Sequence, residues 1–255
     1  MTAEATMDSP PRRQAPFAPN HRWDRNFFLF YVLLIWSGIL GGFVPEIIGH
    51  INSSAPPYPP ILHVHAVAFV GWIALLTTQV GFIRRGRHDL HRGLGAAGMV
   101  LAALMVIVGP LTAFAMQRYH WGTPDSDPAF LAIQLGDIII FAGLAGAAFA
   151  LRRDPSAHKR LILLATLHIS NAGFARFLGG GLHGLFGDSL IGYIGAMYPA
   201  NLLVLGMGAY DLFTRKRLHP VYLPAVAWMA AFQFAAAYLD HAPWWKDFAT
   251  HLIGH

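Results

Sequence analysis

Residues 60–115 read PILHVHAVAFVGWIALLTTQVGFIRRGRHDLHRGLGAAGMVLAALMVIVGPLTAFA. Two apolar runs flank a turn that carries Arg84, Arg85, Arg87 and Arg92. Each run has the roughly 20 residues that a helix needs to cross the hydrocarbon core of a bilayer. The stretch therefore reads as a membrane-spanning helical hairpin with its turn in the charged interface. Outward from it the pattern repeats, with apolar segments at 27–49, 60–83, 93–115, 129–151, 160–179, 190–213 and 220–240. Polar breaks rich in turn residues separate them. The sequence predicts an all-α integral membrane bundle of seven transmembrane helices over 27–240. A polar, proline-rich tail over 1–26 is expected to be disordered. An amphipathic segment over 241–255, with Trp244, Trp245 and Phe248 beside Lys246, is expected at the outer interface.

Composition agrees. Of the 255 residues 55% are hydrophobic and 12% charged, about half the charge usual for a soluble domain. The absence of cysteine excludes disulfides, CxxC redox centres, CxxCH haem attachment and cysteine-based zinc sites. The pI of about 9.7 comes from short basic clusters between apolar runs, which argues for membrane topology and against nucleic-acid binding. Of 18 Lys and Arg residues, all but Arg118, Arg176 and Lys246 fall in the N-terminal tail or in the second, fourth and sixth interhelical turns. The positive-inside rule then predicts a cytoplasmic N-terminus and an outward C-terminus. His88, His91, His158 and His219 sit among these cations, and the expected partner there is a bilayer with anionic head groups. A membrane partner protein is a further candidate.

The basic turns resemble one another. Arg84-Arg85 through His91-Arg92, Arg152-Arg153 through His158-Lys159-Arg160, and more loosely Arg215-Lys216-Arg217-Leu218-His219 each place a histidine before the next helix. This suggests helical hairpins in parallel repeat, a known plan of membrane proteins. On the strength of Asp89-Leu90-His91-Arg92-Gly93-Leu94-Gly95 and of His158-Lys159-Arg160-Leu161 continuing to Thr166, helices 2 to 5 resemble a widespread family of uncharacterised bacterial polytopic membrane proteins. More distantly, the histidine pattern is similar to that of histidine-containing membrane proteins of the cytochrome-oxidase-assembly type. The resemblance implies a bacterial inner-membrane location and the helical fold, and carries no activity.

Ionisable groups inside a membrane are costly and are functional candidates by default. Glu46 and His50 share a face of the first helix, and His63 and His65 open the second. His65 shares a stripe with Trp72 and Gln79 that is expected to face the bundle. Gln134 and Asp137 lie on the fourth helix, His168, Asn171 and Arg176 on the fifth, and Tyr198 and Asn201 on the sixth. Asp137 is the first candidate, with Arg176 as its expected ion-pair partner. Stripes of Gly95, Gly98, Gly136, Gly143, Gly192 and Gly195 predict close helix packing.

Two function classes follow. In the first, Glu46, His50, His63, His65 and Asp137 hold a transition metal (copper, zinc or iron), or His65 and His168 hold haem b, for redox chemistry or respiratory-complex assembly. A bundle with no cofactor is an equal alternative. In the second, Asp137, Arg176 and the membrane histidines form the proton site of a small transporter or sensor.

Overall fold

The computed structural model describes residues 17–255; residues 1–16, which contain Arg12 and Arg13 and the first part of the expected disordered tail, lie outside the described residues. Among the described residues the fold is all-helical, with 81% helix and no strands. The elements are α1 (Asp24–Ile51), α2 (Pro60–Arg84), α3 (His88–His120), α4 (Leu131–Ala150), α5 (Pro155–Phe174), α6 (Gly180–Phe186), α7 (Leu190–Met197), α8 (Asn201–Arg215), α9 (Tyr222–Asp240) and α10 (Pro243–Leu252). Six helical stretches are long and apolar enough to cross a membrane, or seven if the bent pair α7–α8 counts as one.

The hairpins form where the turns punctuate the chain. Between α2 and α3 the turn shrinks to three residues around Gly86, whose φ of 71° glycine adopts without strain. The start of α5 is set by Asp154, whose Oδ1 accepts the amides of Ser156 and Ala157 at 2.8 and 3.1 Å, with Pro155 in the first turn. His91 and His158, from the two similar turns, meet at this basic end with ring centroids 6.3 Å apart.

Helix α5 is the axis of the bundle: 15 of its 20 residues are buried, and it packs on α1, α4, α8 and α9. Its closest approach is to α1. A Cβ on Gly42 would stand 2.2 Å from the carbonyl oxygen of Gly173, so the two backbones touch. On the other side of α5, helix α4 receives α9 through Gly136, against Ala236, and Gly143, against the Trp228 ring.

Two spans differ from the sequence reading. The fifth was expected to end at residue 179, followed by a polar break. Instead the chain stays helical from Pro155 to Phe186, through a π-helical turn at Ala175–Gly179. Glycine tolerates helical angles, and in an apolar medium a helix keeps every peptide hydrogen bond internal. The sixth was expected as one helix over 190–213. It is broken between Met197 and Asn201, and its halves meet at 82°. Pro199 brings no amide to the helix ladder, and Tyr198 leaves helical angles at φ −125° and ψ 55°.

Charges close the basic end. Arg160 Nε and Nη2 donate to the two oxygens of Asp211 at 2.7 and 2.5 Å, with side chains only 2% and 1% exposed. Asp24 accepts from Lys159, Arg215 and Tyr210, and Arg215 also approaches Asp211 at 3.5 Å. This network ties α1, α5 and α8. Phe17, ahead of α1, lies under the Arg160 guanidinium and edge-on to His219. At the opposite end α10 caps α3 and α4. There Trp245 Nε1 donates to the Ala129 carbonyl at 2.9 Å, and Arg118 Nε to that of Ile253 at 2.7 Å.

Candidate functional site

The break between α7 and α8 leaves the Ala200 amide without a helical partner, and α5 supplies one, while α9 engages the side chain of Asn201 at the start of α8. The Ala200 amide donates to Asn171 Oδ1 at 2.8 Å. Asn201 and Gln233 exchange two side-chain amide bonds at 2.9 and 3.2 Å. Such side-chain partners are what a broken helix inside a bundle requires. They also gather polar atoms around one residue, His168.

His168 is fully buried on α5. Its Nδ1 lies 3.5 Å from Gln233 Nε2, and its ring stacks on that of Tyr198 at 5.7 Å between centroids. Its Nε2 lies 3.1 Å from Asp137 Oδ1, out of hydrogen-bonding alignment. Asp137 is 20% exposed. Four buried polar atoms around this point have no hydrogen-bond partner: Asp137 Oδ1, His168 Nε2, Tyr198 Oη and Asn171 Nδ2. Native interiors leave few such atoms, and each costs about 1–3 kcal/mol. The cluster is therefore a place where the fold spends stability, as functional sites do.

Below the cluster lies an apolar barrier. Trp72 donates its indole N–H to Thr166 Oγ1 at 3.1 Å and meets Phe141 edge-on. Thr166 and Phe141 stand on the basic side of His168 and Asp137 along their helices. On the far side of Trp72 a cavity of about 1040 Å³ opens toward the basic end. Trp72 lines this basic vestibule, and neither Asp137 nor His168 does.

The other sequence candidates fall elsewhere. The expected Asp137–Arg176 pair does not form. Arg176 stands eight residues, or about 12 Å, beyond His168 along the helix, outside the depth of Asp137. Arg176 instead binds Glu46 of α1 and lies over the Phe43 ring. His50 stacks on Tyr58. His63 is exposed, and His65 stacks on Phe69 with its Nδ1 buried and unpartnered. Gln134 pairs with Gln117 at 3.0 Å. Glu46, His50, His63, His65 and Asp137 are therefore not brought together, and among the described residues no three His, Asp or Glu side chains gather as a metal-ligand set. Nor do His65 and His168 oppose each other. The Trp72–Thr166 bond aligns α2 with α5, which leaves His65 about 7 Å further from the basic end than His168.

Sequence reasoning missed the Arg160–Asp211–Arg215–Asp24 network, whose arginines it counted as topology signals. The available signal was Asp211, an acid inside an apolar run and four residues before Arg215. No family model, curated protein or solved structure matches the chain.

Proposed function

We propose that the protein is a multi-pass transporter or sensor of the bacterial inner membrane that takes up a proton at Asp137 and His168. The basic end faces the cytoplasm in this reading, because the positive-inside rule puts the Arg-rich turns there. The observation that carries the proposal is the Asp137–His168 contact at 3.1 Å, with both atoms otherwise unpartnered inside the bundle. A carboxylate and an imidazole so close offer two neighbouring acceptors for one proton, and its arrival changes the charge of a buried site. Two features beside it can respond. The π turn at Ala175–Gly179 and the 82° break after Met197 are irregular helix segments of the kind that accompany moving sites. Tyr198 links the break to the His168 ring.

The test is proton flux in proteoliposomes that carry a trapped pH-sensitive dye, under an imposed pH gradient. The full chain should carry flux above protein-free vesicles, and Asp137→Asn and His168→Gln should each lower it about tenfold or more, as loss of a positioned proton carrier does. Glu46→Gln, at the half-exposed Arg176 pair, should leave it unchanged. Flux that survives both Asp137→Asn and His168→Gln in folded protein would refute the assignment. Near-stoichiometric iron, copper or zinc in the same preparations would favour the cofactor class instead.

A further inference from the structure

We infer that the basic vestibule is a binding site for an amphiphilic anion, a molecule with one negatively charged head and a single apolar tail. The cavity of about 1040 Å³ lies between α1, α2, α3, α5 and the end of α4, at the large end of the usual range for small-molecule sites. Its two ends differ in chemistry. At the mouth stand Arg25, Arg84, Arg92, Arg152, Arg153 and Lys159, with Asp24 the one acid in the lining. Asp24 is already engaged by Lys159, Arg215 and Tyr210. Among the described residues the five arginines have no acidic partner. Deeper in, the walls are Leu76, Val80, Met99 and Ile162 with the single amide of Gln79 among them, and the floor is Trp72.

Topology alone asks for cations at this end, and scattered surface arginines would satisfy it. It does not ask for them to ring the mouth of an apolar shaft. Guanidinium groups suit carboxylate or phosphate heads, and basic pockets between transmembrane helices are known to take such head groups. From Arg84 to Trp72 along α2 is about 18 Å, enough for an extended alkyl chain of medium length. A free inorganic anion would leave the shaft unused, and an uncharged amphiphile would leave the arginines unused. Binding here lies on the cytoplasmic side of Trp72 and does not depend on the proton site.

The probe is radiolabelled dodecanoate, added to the full chain in nanodiscs of zwitterionic phosphatidylcholine and read against protein-free nanodiscs. Saturable binding near one per chain is expected. Arg92→Gln/Arg152→Gln should weaken it about tenfold, by loss of two charge-assisted contacts. Ala96→Trp, which fills the shaft and keeps the charges, should weaken it about tenfold too. Arg85→Gln/Lys216→Gln removes two cations of the same end that do not line the cavity, and should leave binding unchanged. Displacement by lysophosphatidylglycerol, which has one acyl chain, supports the class and assigns the natural ligand to the bilayer; displacement by soluble decyl phosphate alone supports it and assigns the ligand to the aqueous side. Equal binding of dodecanol, equal competition by acetate or inorganic phosphate, or no loss in both the arginine and Ala96→Trp variants would overturn the proposal.

Discussion

Replacing Asp211 by Asn tests whether the basic end is held by a buried charge pair. Asparagine keeps the shape of the side chain and one acceptor oxygen, so the change removes little but charge. The Arg160 guanidinium would stay 2% exposed, with the Asn oxygen, the Ser156 hydroxyl at 2.7 Å and the Ser156 carbonyl at 2.9 Å as its remaining acceptors. None carries charge. Leaving one member of a buried ion pair uncompensated costs about 3–5 kcal/mol, and the upper part of that range applies because the lost contact is bidentate. Arg215 is not stranded as well, since Asp24 still accepts its Nη2 at 2.8 Å. The assay is reversible unfolding in mixed micelles of a mild detergent and SDS, followed by circular dichroism. The expected result is a loss of about 3–5 kcal/mol for Asp211→Asn and a similar loss for Arg160→Met. The double variant Arg160→Met/Asp211→Leu should recover much of it, because two apolar side chains strand no charge. A loss below about 1 kcal/mol for Asp211→Asn, the scale of an exposed pair, would refute the reasoning. So would a double variant no better than the sum of the singles.

Gly42→Ala sets a methyl 2.2 Å from a backbone oxygen of Gly173, and since neither backbone can rotate away it should cost about 1–3 kcal/mol in the same assay; an unchanged midpoint would show that α1 and α5 are not in backbone contact. Asn171→Ala leaves the Ala200 amide without its acceptor and should cost about 1–3 kcal/mol, with faster hydrogen exchange at residues 198–203 as its local signature; unchanged exchange there would sink the capping role. Burial, and next the Arg160 guanidinium, push His219 below the ordinary imidazole range, with Arg215 acting the same way and Asp154 and Asp211 opposing. The folded state thus disfavours protonated His219, so stability should fall as pH drops through about 6.5, where the unfolded chain takes up the proton, and level off below the folded value. His219→Gln should flatten that part of the pH profile, and an identical slope in wild type and variant would refute it.

Much of this protein is written in the order of its residues. Bilayer thickness sets how long an apolar run must be and charge clusters mark the turns, so the runs and basic breaks of 60–115 suffice to predict helical hairpins. Those are local or one-dimensional rules. The identity of the buried polar cluster was also legible in part, because Asp137, His168, Asn171 and Asn201 stand out as polar residues in apolar runs. Their pairing was not. Whether Asp137 meets His168 or Arg176 depends on the depth and rotation of α4 against α5, which neither helix states in its own sequence. The break at Pro199 depends on an acceptor from another helix: Asn171 takes the Ala200 amide, and it lies far from the break in sequence. The same holds for Arg160 and Arg215, which read as surface topology signals until Asp211 and Asp24 arrive from α8 and α1. Local sequence determines which segments become helices and where they turn. Which polar groups satisfy one another, and where a cavity remains, is settled when all the helices pack, because desolvation makes every buried group answer to its neighbours in space.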